Sequence, residues 1–281
     1  MEILDDHDYH QELSFESAQR VSRFTVQMFR ISDKGTIESF ASGVLFQFEE
    51  NYFLITASHV FENEHVPELR IRSGDGVIEI HGEFLRVLND ILDIAIVKLS
   101  NSSALNLKES HSFLGLVDIE FNPVQKILRT PTPDLSNYYM MFGYPASKTK
   151  AKYNSPKEIN IVAYYVGTYL HRDNVNRLKE EGYKWHLFTD RRKKYIGLRS
   201  RNKQHAPSLN GMSGSGLWEI KVIDIQSKEP TTKLAGIFIE KNGEHLVSIK
   251  AEIAIPIIRE RWKLYRLPNI TIDFDGQKVV R

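Results

Sequence analysis

Three short motifs in this sequence hold the residue types that nucleophilic catalysis uses: a histidine, a carboxylate and a serine. The histidine ends the motif Leu54-Ile55-Thr56-Ala57-Ser58-His59, after an apolar run and a small-residue turn. The carboxylate begins the apolar run Asp93-Ile94-Ala95-Ile96-Val97. Because burying an unpaired carboxylate is costly, an Asp at the head of a buried strand needs a hydrogen-bonding partner.

The serine lies in Asn210-Gly211-Met212-Ser213-Gly214-Ser215-Gly216-Leu217. Three glycines in six positions predict a backbone that turns tightly and leaves amide N–H groups exposed. A flexible Gly-Ser linker is the competing interpretation. It fits poorly, because an apolar strand begins at Leu217 and no longer linker composition surrounds the motif.

These motifs resemble the signatures of the trypsin/chymotrypsin-like serine peptidase family, including its HtrA and glutamyl-endopeptidase-like branches. The family's signatures are a Thr-Ala-x-His turn, an Asp-Ile-Ala-Leu-like strand, and Gly-x-Ser-Gly followed by Gly or Ser. All three occur here in the family's order of His, Asp and Ser, which separates the sequence from α/β-hydrolases and from subtilisins. The resemblance runs from about Thr25 to Trp262.

The resemblance implies a catalytic triad of His59, Asp93 and Ser213. His59 would take the proton of the serine hydroxyl, and Asp93 would orient and stabilise the imidazole. The backbone N–H groups of Gly211 and Ser213 would form the oxyanion hole. The implied substrate is a protein or peptide, and the implied reaction needs neither a metal nor another cofactor.

The resemblance also locates a substrate-binding wall in the segment 236–242, with Ile237, Phe238, Ile239 and Glu240 as its expected members. The Glu240 carboxylate would favour a basic side chain on the substrate. Position 212 is Met, so the zymogen switch of trypsins, in which a new amine pairs with an acid beside the serine, is not expected.

Two local alternatives concern the same motifs. Asp90 lies three residues before Asp93 and is a second candidate for the orienting acid, although only Asp93 matches the Asp-Ile-Ala pattern. Ser215 lies in the glycine-rich turn as well. It lacks a glycine two residues upstream, where Ser213 has Gly211, so Ser213 is preferred.

Short strand-like segments recur along the chain and predict an all-β fold. Six precede residue 100, six follow a stretch that holds Pro123, Pro131 and Pro133, and a helix is expected after them. The resemblance implies two packed antiparallel six-stranded β-barrels with a C-terminal helix. The expected segments are 24–30, 42–48, 52–56, 69–71, 77–85, 94–99, 139–143, 159–169, 185–188, 216–220, 234–240 and 245–248, with a helix over 251–262.

The domain prediction follows from these segments. An N-terminal extension covers residues 1–22, and a peptidase domain covers 23–262. Its first barrel spans about 23–125, its second about 126–250 and its helix 251–262, and a C-terminal tail occupies 263–281.

Composition narrows the class of protein further. The 281 residues include no cysteine, which removes disulfides, thiolate metal sites and a cysteine nucleophile. The chain has no apolar run of eighteen residues, and its acidic start lacks the pattern of a signal peptide. These features favour a cytoplasmic protein with no membrane association.

The formal net charge is +1, yet basic residues outnumber acidic ones between Lys148 and Lys203, and the densest cluster is Arg191-Arg192-Lys193-Lys194. A solvated loop is the plain interpretation. A docking surface for an activating partner or a substrate is the alternative, and nucleic acid is a less favoured ligand. For the whole chain, two other functions compete with catalysis: a catalytically silent peptide-binding relative and a strand-rich adaptor.

Overall fold

The structure is a computed structural model of the 281-residue chain. It describes residues 6–32, 36–61, 69–74, 76–88, 92–120, 137–148, 150–151, 159–160, 163–170, 178–188, 195–196, 203–204, 208–222, 230–270, 273–274 and 277–278.

The first half of the chain forms a seven-stranded antiparallel sheet with the order β5-β4-β1-β2-β3-β7-β6. Its strands are β1 (Thr25–Ile31), β2 (Ile37–Phe48), β3 (Asn51–Thr56), β4 (Arg70–Ser73), β5 (Gly76–Glu79), β6 (Gly82–Leu88) and β7 (Asp93–Leu99).

This first sheet has to curl. Seven strands laid flat would place β5 and β6, its two edges, about 29 Å apart at about 4.8 Å per strand. Only Ile80 and His81 connect β5 to β6, and three Cα–Cα steps span at most about 11 Å. The edges therefore approach each other. No hydrogen-bonded ladder joins β5 to β6 in the described part of the chain, so the sheet is curled but not closed.

The second half forms another seven-stranded antiparallel sheet, with the order β11-β8-β16-β17-β18-β13-β12. Its edge strands β11 and β12 are again consecutive in the chain. The strands are β8 (Asn137–Gly143), β11 (Tyr164–Leu170), β12 (Leu178–Glu181), β13 (Lys184–Phe188), β16 (Gly216–Val222), β17 (Pro230–Asn242) and β18 (His245–Lys250).

Among the described residues, three two-stranded pairs accompany the main sheets. They are β9 (Lys150–Ala151) with β10 (Ile159–Asn160), β14 (Tyr195–Ile196) with β15 (Lys203–Gln204), and β19 (Asp273–Phe274) with β20 (Gln277–Lys278).

Both faces of each large sheet are buried, which explains why their central strands are apolar at consecutive positions. In the first sheet, Leu45 and Leu54 face an apolar cluster to which no described residue of the second sheet contributes. Their neighbours Val44 and Ile55 face a second cluster, here called the shared core, to which both sheets contribute. The second sheet also has its own cluster, which contains Met141 and Leu217.

In the described part of the chain, three α-helices accompany the sheets: α1 (Asp6–Ser22), α2 (Asn101–Lys108) and α3 (Ala254–Trp262). Helix α1 packs against β17, β8 and β1, and its residues Leu13, Ala18 and Val21 enter the shared core. Within the described residues, none of the helices is both long enough and apolar enough to cross a membrane.

The prediction of two six-stranded closed barrels is wrong in its strand count and in closure. Residues 77–85 were expected to form one strand, but the chain leaves the ladder at Ile80 and His81. There the Ile80 amide donates to Leu69 O, and the Ser103 hydroxyl accepts from the His81 amide. The second sheet gains β12, an edge strand whose last three residues are charged and exposed.

The helix expected over 251–262 is present in two parts, a 3-10 turn over Ala251–Ile253 followed by α3. Pro256 lies in the first turn of α3. Amide groups of a first turn have no partner inside the helix, so the missing N–H of proline costs nothing there.

Candidate active site

His59 lies in a 3-10 turn, Ser58–Phe61, immediately beyond the end of β3. The turn is anchored by Ser58 and Phe61, which are both buried, while the His59 side chain keeps 35% of its surface exposed. This arrangement holds the backbone of the turn and leaves the imidazole accessible.

Asp93 is the first residue of β7, which pairs with β3, so the sheet brings it beside the His59 turn. Behind both residues, Ala57 and Leu92 pack with Ile239 of β17 in a buried apolar cluster. The chain segments that carry His59 and Asp93 are therefore anchored in one apolar cluster.

The three side chains predicted as a triad form a continuous hydrogen-bonded chain. His59 Nδ1 lies 2.6 Å from Asp93 Oδ2, and His59 Nε2 lies 3.0 Å from Ser213 Oγ. An ionised carboxylate only accepts hydrogen bonds, so the proton of a neutral imidazole belongs on Nδ1. Nε2 then carries the lone pair and accepts from the Ser213 hydroxyl.

The electrostatics of Asp93 favour its charged form. Burial alone would raise its pKa, but the hydrogen bond and charge of His59, with the backbone amides of His59 and Ser58, together hold the pKa below the usual value. The His59 amide donates to Oδ1 at 2.8 Å, so one carboxylate is hydrogen-bonded to both the ring and the backbone of the histidine. A carboxylate held in this way keeps the imidazole oriented.

Ser213 projects from a turn in which two glycines have left-handed backbone, since φ is +86° at both Gly211 and Gly214. A Cβ at Gly211 would approach Ala146 N to 2.6 Å. A Cβ at Gly214 would overlap Ser42 O and Thr56 Oγ1. The glycines are thus required both by the backbone conformation and by lack of space.

Within the described residues, the turn leaves two amides, those of Gly211 and Ser213, without a hydrogen-bond acceptor. The neighbouring amides are occupied, because Met212 N donates to Leu209 O, Gly214 N to Phe238 O and Ser215 N to Met212 O.

The carbonyls on the same peptide groups as these two amides are also held. Asn210 O accepts from Ala146 N at 2.7 Å, and Met212 O accepts from Ser215 N at 2.9 Å. A trans peptide is planar with its C=O and N–H opposed, and this structure contains no cis peptide bond among its described residues. Fixing each carbonyl therefore fixes the direction of the amide, and the pair is suited to binding an oxyanion.

The four predicted substrate-binding residues differ in whether their side chains are buried or exposed. The side chains of Ile237, Phe238 and Ile239 are buried, each in a different apolar cluster, and only that of Glu240 is exposed. The turn of residues 211–215 carries the serine predicted as the nucleophile and is here called the nucleophile turn. The backbone of Phe238 holds it, because the Phe238 carbonyl accepts from Gly214 N and the Phe238 amide donates to Ser215 O, each at 2.7 Å.

Ser215, the alternative serine, is fully buried, and its hydroxyl contacts Met212 Sδ at 4.0 Å. Asp90, the alternative acid, lies outside the described residues, as does the cluster Arg191–Lys194 of the basic segment. The docking surface predicted for residues 148–203 therefore stays a prediction. Among the described residues, no three His, Cys, Asp or Glu side chains are grouped to hold a metal ion.

Sequence reasoning missed Ser42, a buried residue of β2 that contacts the nucleophile turn from the first sheet. Its amide donates to Ser213 O at 2.8 Å, and its hydroxyl donates to Gly211 O at 2.9 Å. The available signal was a polar Ser-Gly pair, Ser42-Gly43, at the head of the apolar run Val44–Phe46.

No protein-family model matches the sequence, and no curated protein matches it. Among solved structures, the chain is 14% identical to the VesB protease of Vibrio cholerae, with a TM-score of 0.44 over 87% of this chain and 65% of that one. It is 13% identical to the MamO protease domain of Magnetospirillum magneticum, with a TM-score of 0.40 over 84% of this chain and 95% of that one.

A third structure comes from work on the intrinsically disordered VPg protein of Sesbania mosaic virus. It is 13% identical, with a TM-score of 0.44 over 81% of this chain and 87% of that one. Similarity at this level assigns neither a catalytic role nor a substrate to any residue of this chain.

Proposed function

We propose that the protein is a serine endopeptidase of the trypsin/chymotrypsin-like kind, with its triad carried by two seven-stranded antiparallel sheets. The observation that carries the proposal is the hydrogen-bonded chain from Asp93 through His59 to Ser213, with the unoccupied amides of Gly211 and Ser213 in the same turn. These are a base, an orienting acid, a nucleophile and an oxyanion site, the four parts that acyl transfer requires.

In the first half of the reaction, Ser213 Oγ forms a bond to the carbonyl carbon of the substrate while its proton passes to His59 Nε2. The carbonyl oxygen becomes an oxyanion and accepts hydrogen bonds from the two free amides, each donor contributing about 3–4 kcal/mol in enzymes of this kind. The C–N bond then breaks, and the leaving amine takes the proton from His59.

In the second half, water replaces the amine. His59 removes a proton from the water as its oxygen attacks the acyl carbon, and the bond to Ser213 Oγ breaks as the serine regains a proton. The products are a carboxylic acid and a free enzyme. Asp93, held ionised by its contacts, stabilises the imidazolium that forms in both halves.

An extended peptide is the substrate that the backbone around the site suits best. The ladder between β16 and β17 ends at Gly216 and Ile237, but β17 continues to Asn242, paired with β18 on its other side. Within the described residues, the segment 239–242 has one edge without a strand partner, next to the turn of Ser213. A peptide can add to such an edge through main-chain hydrogen bonds.

A fluorophosphonate probe tests the proposal, because only an activated serine reacts with it. We expect the wild type to be labelled at Ser213, Ser213→Ala to be unlabelled, and His59→Ala to react far more slowly. Mass spectrometry of the peptide that contains the turn identifies the modified residue.

The same three proteins are then assayed on a library of unstructured peptides. Cleavage that persists in purified Ser213→Ala would contradict the mechanism. A folded wild type that neither reacts with the probe nor cleaves any peptide would favour a silent peptide-binding relative instead.

A further inference from the structure

We propose that the hydroxyl of Ser42 is a positioning group. From the first sheet it holds the nucleophile turn in the conformation that catalysis needs, so the turn is ordered once the two sheets pack together. This inference rests on the proposed function, and it adds to it a residue and a contact that neither the motifs nor the triad include.

Every polar group of Ser42 is occupied at this junction. Its amide donates to Ser213 O at 2.8 Å and its hydroxyl donates to Gly211 O at 2.9 Å. The hydroxyl oxygen also accepts from Tyr144 N at 3.0 Å, and Ser42 O accepts from the Thr56 hydroxyl at 2.7 Å. Ser42 has no solvent exposure, so these hydrogen bonds do not compete with water.

The Gly211 carbonyl that Ser42 holds lies between the two peptide groups that carry the free amides. Those outer peptides are fixed through Asn210 O and Met212 O, and the central peptide is fixed by Ser42 on one side and by Met212 N bonded to Leu209 O on the other. Gly211 is the joint between the first and the central peptide, and its backbone is permissive. Removal of the Ser42 hydroxyl leaves the central peptide held only through Met212 N, so rotation at this joint is less restricted and the angle between the two oxyanion donors is less well fixed.

The contact also crosses the interface between the sheets. Ser42 belongs to β2 of the first sheet, whereas Gly211 and Ser213 precede β16 of the second. The amide contact to Ser213 O is available to every residue at position 42 except proline, which has no N–H. Mutation of the side chain therefore removes the two hydroxyl contacts, to Gly211 O and from Tyr144 N, and leaves the amide contact in place. The expected effect is a changed geometry of the turn and not its loss.

The test compares Ser42→Ala and Ser42→Cys with the wild type. Alanine removes the donor, and cysteine fills the space but donates weakly. We expect kcat on a peptide substrate to fall by about 10- to 100-fold in both variants, since loss of one oxyanion donor costs about 10²–10³-fold and here the donors are only misaligned. KM should change by less than about threefold, since the ground-state carbonyl makes little use of the hole.

A peptidyl boronic acid, which places an oxygen in the hole as a transition-state analogue, should bind more weakly by the same factor as kcat/KM. A peptide product that lacks the tetrahedral group should bind with unchanged affinity. The matched control is Thr25→Val, because the Thr25 hydroxyl is equally buried and donates to a backbone carbonyl, Val21 O, away from the site. This variant should lose stability without a change in kcat.

Full kcat in Ser42→Ala would overturn the proposal. Restoration of kcat by Ser42→Cys would overturn it too, because it would show that packing alone matters. A decrease in kcat that is no larger than the unfolded fraction measured by thermal denaturation would overturn it as well. A wild type that fails to react with the fluorophosphonate would instead refute the proposed function, and the role of Ser42 with it. Reaction of the wild type and of Ser42→Ala at equal rates would refute the role of Ser42 alone.

Discussion

At the scale of single residues, Asp93 governs which nitrogen of His59 carries the proton. Its two oxygens accept from the His59 ring and from the His59 backbone amide, so the carboxylate fixes both the tautomer and the position of the imidazole. In Asp93→Asn, the amide group can donate to Nδ1 and thereby place the proton on Nε2. Nε2 then cannot accept from the Ser213 hydroxyl, and the base is lost.

We therefore expect Asp93→Asn to lower kcat by about 10³- to 10⁴-fold with little loss of stability at neutral pH. Steady-state kinetics on a peptide and the rate of fluorophosphonate labelling measure the effect. Asp118→Asn is the control, because the Asp118 carboxylate also accepts from a backbone amide, that of Gly115 at 2.7 Å, but lies in a separate 3-10 turn. Activity of Asp93→Asn within tenfold of the control would contradict the assigned role.

At the scale of elements, the nucleophile turn depends on the absence of a side chain at Gly214. A methyl group there would overlap the backbone oxygen of Ser42 and the Thr56 hydroxyl, and neither atom is the end of a flexible chain. The positive φ adds strain for any other residue. The close approach of the two sheets at this point therefore depends on the glycine.

Gly214→Ala should lower the free energy of unfolding by about 3 kcal/mol or more and abolish activity, because overpacking and left-handed strain add. Gly243→Ala is the matched control. Its φ is +58° but a Cβ would have no neighbour within 4 Å, so it should lose only about 1–2 kcal/mol and keep its activity. Urea unfolding and kcat of both variants provide the measurement. Equal losses of stability in the two variants would show that contact with Ser42 contributes nothing.

The elements that sequence reasoning predicted are those with a strong local pattern. Apolar runs such as Phe53–Ile55 and Ile94–Val97 read as strands because both of their faces are buried. The edge strand β12 escaped prediction, since Lys179, Glu180 and Glu181 are charged, as suits an edge that has to avoid pairing with another chain. Helix α1 was not predicted either. Its apolar residues are buried in a shared core formed with distant strands, and the local sequence does not indicate that contact.

The candidate site divides in the same way. His59, Asp93 and Ser213 each lie in a recognisable motif, so the sequence alone predicted that these three side chains would meet. The hydroxyl contact of Ser42 with Gly211 spans 169 positions and joins two sheets, and no local pattern encodes such a distance. The side chains of Phe238 and Ile239 are buried, and the segment 237–240 contacts the turn of Ser213 through the backbone of Phe238, which no sequence pattern indicated.

At the scale of the whole molecule, the two sheets are held together by elements from both ends of the chain. Helix α1 packs on strands of both sheets. Helix α3 follows the second sheet, yet Trp262 lies against Phe53 of the first, with ring centroids 5.3 Å apart, and its Nε1 donates to Glu83 Oε2 at 2.8 Å. The two sheets are thus joined by contacts of both helices, in addition to the contacts between Ser42 and the turn of Ser213.

The stability of the whole molecule should depend on pH through His111, a residue of the connection that follows α2. Burial, and then the positive charge of Arg72, lower the pKa of His111 to about 4 from its usual 6.5. Below pH 6.5, His111 therefore binds a proton in the unfolded chain, whereas in the folded protein it does so only near pH 4. Stability is full above pH 6.5 and is lost as pH falls through this window, by up to about 3 kcal/mol.

His111→Gln removes the titrating group and should flatten this dependence between pH 6.5 and 4, while the Ser110 hydroxyl, which contacts His111 Nδ1 at 2.9 Å, keeps an amide as partner. Both proteins keep the other groups that titrate in this window. The lowered pKa of His186, caused chiefly by burial, gives a slope of the same sign, whereas the raised pKa of Glu252, also caused chiefly by burial, gives one of the opposite sign, and Asp93 acts only at lower pH. Urea unfolding at several pH values measures the difference between wild type and variant. An identical slope in both proteins would contradict the role of His111, because a group that binds no extra proton on unfolding cannot make stability depend on pH.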